Sequence, residues 1–277
     1  MHPADPSLVD AIVRAASDRA VDGIDTLLDP LLDVVAEPVD LPGGVISLLR
    51  PRDPDALPFE TVSSPDAEVE ELHPPHWARL WPSGTALARA VAARPASGGT
   101  RPGDSGSGDV PLGGDAGRER SDPRGPARIV VRERSVLELG CGLGLPSLAA
   151  ARAGARVLAT DRSPGAAAFV AATAARAGIG LRAASCAWNE PQELDGPWDV
   201  VLAADVLYGA DALTLLAGLL PRLTADDGEV WLADPRRPLA PEFLADARTR
   251  WREVDTLDST EPGVLLHRLR GPARPFV

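Results

Sequence analysis

Lysine is missing from this sequence altogether, so its 28 basic residues are all arginine, set against 40 acidic ones for a formal charge of −12. An acidic chain with dispersed arginines is a poor binder of phosphate backbones, which argues against nucleic acid as a partner and leaves a basic protein open. Only two cysteines are present, Cys141 and Cys186. They are too few and too far apart for a disulfide framework or a metal knuckle, so no metal is expected. No stretch approaches the roughly 18 uninterrupted apolar residues that a membrane span needs. The opening MHPADPSLVDAIV has no basic region followed by an apolar one, so no secretory leader is expected either. These absences together predict a cytoplasmic protein with no membrane partner.

What is present falls into zones. From Ser7 to Val35 apolar residues recur at helical spacing: Leu8, Ile12 and Val13, then Leu27, Leu28, Leu31, Leu32 and Val35. PGGVISLLRPRDPDAL (Pro42–Leu57) reads as a short strand between turns. Residues 1–73 are thus expected to form an N-terminal extension of helices and a short strand, and residues 74–93 a pre-core helix segment. Residues 94–127 are rich in Gly, Pro and Ser, with almost nothing to bury against the entropy of ordering them, and predict a disordered insertion.

In residues 128–277 strands and helices alternate. SVLELG, ARVLATD, LRAASCAW, WDVVLAAD and GEVWLAD read as strands, separated by helical segments that Pro164, Gly154 and Gly178 start or stop. REVDTLD and GVLLHRLR, joined by STEPG, predict a hairpin. Repeated βα units imply an α/β fold: a Rossmann-like, doubly wound, mostly parallel seven-stranded sheet with a C-terminal antiparallel hairpin and an N-terminal helical extension. Its ligand belongs at the carboxyl ends of the first strands.

The turn after the first core strand reads Gly140-Cys141-Gly142-Leu143-Gly144, with Leu145 where a dinucleotide fingerprint would carry its third glycine. Glu138 lies two residues before Gly140, where a carboxylate would repel a pyrophosphate docking on the helix N-terminus. The same carboxylate suits a cationic ligand. S-adenosylmethionine carries a sulfonium and an ammonium and no phosphate. Asp161 closes the next strand and can accept hydrogen bonds from both ribose hydroxyls. At roughly 1.5–3 kcal/mol per charged hydrogen bond, its loss would weaken cofactor binding by one to two orders of magnitude or more. The alternative is that Glu138 and Asp161 only cap the helices that follow them.

VLELGCGLGLPSLAAA (Val136–Ala151), followed by VLATDRSP, resembles the first motif and its partner in class I, seven-strand S-adenosylmethionine-dependent methyltransferases. PPHWARLWPSGTALARAV (Pro74–Val91) resembles the lead-in of the lysine methyltransferase group that includes the electron-transfer-flavoprotein β-subunit enzymes. WDVVLAADVLY (Trp198–Tyr208) resembles that group's fourth strand with its D-x-x-Y tail. ADPRRP (Ala233–Pro238) resembles its G-D-P-x-R-P element, with Ala233 in place of glycine.

The resemblance implies site residues. Trp81 would border the cofactor, Gly140, Cys141 and Gly142 would line its methionine moiety, and Asp161 would hold the ribose. Trp188 would pack beside the adenine and Ala204 would lie under the cofactor. Asp205 would orient an incoming ammonium, with Tyr208 shaping its channel. Core packing is the alternative for both tryptophans. Trp77, Trp231 and Trp251 read as core or edge residues, His267 as structural, and Arg236 and Arg237 as rim, carboxylate-holding or surface residues.

The implied activity is methyl transfer to a lysine amine of a protein substrate. A small-molecule N-methyltransferase of the nicotinamide type and a non-catalytic cofactor-binding protein are the other readings. The 4% aromatic content leaves little for a closed cage around a planar substrate and favours the protein reading. A chain without lysine cannot methylate lysine side chains of its own.

Overall fold

A computed structural model describes residues 1–17, 33–62, 71–93, 127–189, 194 and 196–273. Residues 18–32, which include the expected helical Leu27–Leu32 run, lie outside that set, as do 94–126 of the expected disordered insertion.

The architecture follows the alternation in the sequence. The strands β1 (His2–Pro3), β6 (Ser135–Leu139), β7 (Arg156–Asp161), β8 (Arg182–Ser185), β9 (Trp198–Ala204), β10 (Thr224–Asp234), β11 (Trp251–Asp258) and β12 (Leu265–Pro272) form one sheet. Their order is β1-β8-β7-β6-β9-β10-β12-β11. From β8 to β10 all pairings are parallel, and β12 runs antiparallel to both β10 and β11, as the expected C-terminal hairpin requires. Among the described residues the sheet has eight strands, not seven. The extra one is a two-residue edge, His2 opposite Ser185 and Pro3 opposite Ala184. A pair this short has no periodicity to detect.

Outside this sheet, β2 (Val34–Leu41) and β3 (Gly44–Pro51) form a hairpin, and β4 (Glu60–Val62) pairs with β5 (Glu71–His73). Val35 therefore lies in a strand and not in the helix expected for it. Its residues Val34, Val39 and Leu41 are buried, while their neighbours in the strand are more exposed, and tertiary pairing with β3 overrides the weak helical spacing.

Alternate residues of the central strands fill two cores, the period-two consequence of the pleat. Val136, Val200, Leu202 and Trp231 pack with α1 (Pro6–Ser17), α2 (Pro82–Ala92), α3 (Leu145–Arg152) and α4 (Pro164–Ala177). Leu137, Leu139, Val201 and Leu232 pack with α5 (Ala210–Leu223) and α6 (Ala240–Arg250) on the other face. Both faces are thus covered, which explains the near-continuous apolar run of β9. No helix among the described residues is long and apolar enough to cross a membrane.

The chain runs outward from β6 through β7 to β8, then returns to place β9 on the other side of β6. The carboxyl ends of β6 and β9 flank this reversal, where an open α/β sheet leaves a crevice.

Candidate active site

The turn leaving β6 enters that crevice. Gly140, Gly142 and Gly144 all have positive φ, at 64°, 51° and 69°. A Cβ on Gly140 would lie 3.3 Å from Trp188 Cζ2, and one on Gly142 would lie 3.2 Å from the carbonyl oxygen of Trp77. The backbone is therefore pressed between two tryptophans, and only glycine fits both the conformation and the gap. Between them, the Cys141 amide donates to the Thr160 carbonyl at 2.9 Å, tying the turn to β7. Its thiol is buried, and burial first, then the Asp161 and Glu138 carboxylates, push it well above the ordinary thiol range. That makes Cys141 a wall and not a nucleophile.

Asp161 ends β7 beside this turn. Its Oδ2 accepts from the Gly142 amide at 2.9 Å and its Oδ1 from the Ser163 amide at 3.0 Å. Each oxygen retains an acceptor site. Burial raises the carboxyl above its ordinary value; the two amides oppose that, Glu60 adds to it, and Arg162 opposes.

Glu138 lies behind the turn and not at its lip. It is 1% exposed, and Oε2 accepts from the Ser147 amide in the first turn of α3 at 2.9 Å. Burial pushes its carboxyl up to about 8, against the lowering effect of Ser147. The sequence position two residues before Gly140 suggested an exposed carboxylate, but the strand's pleat turns this side chain into the protein under α3.

On the β9 side, Ala204 pairs with Ala233 of β10, and Asp205 leaves the strand at φ 59° with its amide bonded to the Ala233 carbonyl at 2.8 Å. Its carboxylate is gripped by Arg237, Nε to Oδ1 at 2.8 Å and Nη2 to Oδ2 at 3.0 Å. Tyr208 is 61% exposed, with its ring centroid 6.5 Å from that of half-buried Trp188. Gly140, Trp188, Val206 and Tyr208 thus form one continuous wall.

Trp81 comes from another element. It caps α2, is 38% exposed, and donates from Nε1 to the His76 carbonyl at 2.9 Å. Trp77, expected to be core, is the tryptophan whose backbone meets Gly142 and whose ring meets Gly165. It is also buried, so it serves both ends. Glu60 had no signal in the sequence. Its Oε1 accepts from Trp77 Nε1 at 2.8 Å and from Ser163 Oγ at 2.5 Å, bracing the elements on either side of Asp161.

This donor set fits S-adenosylmethionine. The turn carries no cationic side chain for a pyrophosphate, lies over one buried carboxyl and beside another, and presents bare backbone at Gly140 and Gly142, where a Cβ would press on Trp188 and Trp77. Asp161 has acceptor sites for a ribose and Trp188 a ring face beside the turn.

The fold and this chemistry define a class I S-adenosylmethionine-dependent methyltransferase. Within that class, residues 118–248 match the family described as lysine methyltransferase. The electron transfer flavoprotein beta subunit lysine methyltransferase of Xenopus laevis is 28% identical over 212 residues, covering 67% of this chain and 68% of that protein. Protein N-lysine methyltransferase METTL21A of Danio rerio is 30% identical over 131 residues, covering 45% and 60%. Among solved structures, a TehB-like S-adenosylmethionine-dependent methyltransferase from Corynebacterium glutamicum is 18% identical with a TM-score of 0.43, covering 50% of this chain and 81% of that one.

Proposed function

We propose that the chain transfers a methyl group to a lysine amine of a protein substrate. The observation that carries this reading is the D-x-x-Y segment at the crevice mouth, with Tyr208 beside Trp188 and Asp205 at the end of β9. The likeness to protein-lysine methyltransferases supports it. So does the exposure of Tyr208 and Trp81, whose rings are open to a protein surface among the described residues.

Gly140, Cys141 and Gly142 would receive the methionine moiety, Asp161 the ribose and Trp188 the adenine. Ala204 leaves room beneath, Trp81 borders the entrance, and Glu138 supplies a carboxyl behind the turn. Bound S-adenosylmethionine supplies an electrophilic methyl group on a sulfonium. The protein's part is alignment and exclusion of water. A free lysine amine has a pKa of about 10.4 and must lose a proton before it can attack. A docked protein substrate would cover the amine against Trp188 and Tyr208, and that desolvation favours the neutral form. Asp205 orients the arriving ammonium.

The test incubates purified protein and labelled S-adenosylmethionine with a cell lysate, then separates protein from small molecules. Label on a discrete protein band, lost in Asp161→Ala and reduced in Asp205→Asn, is the expected result. Label confined to the small-molecule fraction overturns the protein reading. Unchanged turnover in Asp205→Asn removes that residue from the site.

A further inference from the structure

We infer that Arg237 is a positioning residue for methyl transfer: it holds Asp205 in its left-handed turn and cancels the carboxylate's charge at the crevice mouth. The inference rests on the proposed lysine reading and extends it to a residue outside the D-x-x-Y segment.

Three observations carry it. The Asp205–Arg237 pair is bidentate, both hydrogen bonds are at most 3.0 Å, and the aspartate side chain is 11% exposed. A two-pronged guanidinium fixes the plane of a carboxylate as well as its position. Asp205 also has φ 59°, a left-handed conformation that a non-glycine residue keeps where local contacts hold it. Arg237 is itself anchored. Its amide donates to buried Asp234, 3.1 Å from Oδ2, and it sits in a turn bracketed by Pro235 and Pro238. Behind Asp234, His267 Nε2 lies 3.9 Å from Oδ2, and His267 Nδ1 is 2.9 Å from Thr256 Oγ1. The pair thus joins the end of β9 to the loop after β10.

The charge has a chemical consequence. A bare, poorly solvated carboxylate would hold the substrate amine as ammonium, because an opposite charge nearby favours the charged form. That works against the neutral amine the reaction needs. With Arg237 bound, Asp205 keeps acceptor sites to orient the amine without a full negative charge to trap its proton. The other charged or titratable groups around the mouth are Asp161 at the end of β7 and Arg162 after it, Tyr208 after β9, Asp234 at the end of β10 and Arg236 after it, and His267 on β12. Among the described residues none of these hydrogen-bonds to the Asp205 carboxylate, which leaves Arg237 as its counter-charge.

The experiment compares the full-length parent with Arg237→Ala, Arg237→Lys, Asp205→Asn and the double variant. The readouts are S-adenosylhomocysteine binding by calorimetry and initial rates of label transfer to lysate protein across pH. Arg237→Ala is expected to lower kcat at least about tenfold, leave S-adenosylhomocysteine affinity within about threefold, and move the acid limb of the pH profile to higher pH. Arg237→Lys should restore the limb's position and only part of the rate, since it returns the charge but not the fork. The double variant should be no slower than Asp205→Asn alone.

A parental rate in Arg237→Ala overturns the inference. So do losses that multiply in the double variant, or an affinity that falls in step with rate. A parent that labels no lysate protein would defeat the functional reading instead. The link would then be judged by phenolate absorbance, which reports Tyr208 alone because the chain has one tyrosine. The Tyr208 pKa should rise in Arg237→Ala and not in the double variant; no rise overturns the link.

Discussion

The amide of Ser147 donates to the Glu138 carboxylate across nine residues, so the end of β6 and the first turn of α3 are pinned together under the glycine turn. The cost of that placement is a buried acid whose carboxyl is pushed to about 8 from an ordinary 4.5, chiefly by desolvation. Because the folded value is raised, the folded state favours the protonated form. This contribution to stability is full below about pH 4.5, is lost as pH rises toward 8, and is absent above it. Glu138→Gln keeps an acceptor for Ser147 and removes the titration. Its melting temperature relative to the parent should therefore rise between about pH 5 and about pH 9. A flat difference across that range would show that Glu138 titrates normally.

Gly144 starts α3 with φ 69°, and a Cβ there would fall 2.5 Å from Val170 Cγ2. Gly144→Ala combines a left-handed alanine, about 1–2 kcal/mol, with core overpacking of about 1–3 kcal/mol. Denaturant unfolding should show a loss of about 2–5 kcal/mol with an unchanged slope. Gly178, also left-handed but with nothing within 4 Å of an added Cβ, is the control and should lose only the conformational part when changed to Ala.

Removing Asp161 takes away an acceptor shared by the Gly142 and Ser163 amides as well as the proposed ribose ligand. Asp161→Ala should weaken S-adenosylhomocysteine binding by about tenfold to several hundredfold, at roughly 1.5–3 kcal/mol per hydrogen bond to a charged group. Calorimetry decides it. Affinity within about twofold of the parent would take the ribose role away from Asp161.

Glu60 adds to the raised pKa of Asp161 while bridging Trp77 and Ser163. In Glu60→Gln the bridging oxygen remains and its negative charge goes. The Asp161 carboxyl should then ionise at lower pH, so cofactor affinity should persist further into acid than in the parent. Measuring S-adenosylhomocysteine affinity from about pH 4 to about pH 7 checks the sign. A loss at higher pH in the variant would show that Glu60 holds the site together mainly through its charge.

Much of this molecule can be read locally. Short, near-continuous apolar runs mark β6, β7, β9 and β10. Pro164 and Gly178 mark the ends of α4, and the glycine spacing after Leu139 marks the turn. The D-x-x-Y and D-P-x-R-P segments could be recognised for the same reason, since each is a handful of adjacent residues. Glu60 could not, because the hydroxyl it accepts from lies 103 residues away. Val35 misled because apolar spacing in so short a run fits a helix and a hairpin almost equally.

The sequence alone determined the α/β alternation, the covered parallel strands and a turn suited to a cationic nucleoside. These follow from backbone conformation and burial repeating within a few residues. Only the tertiary structure decided that Glu138 faces inward, that Trp77 backs Gly142, that His2 and Pro3 add an eighth strand, and that Arg237 meets Asp205 across 32 residues. Those depend on which elements the sheet order brings side by side. A short-range pattern specifies each element, but not the neighbour it will touch.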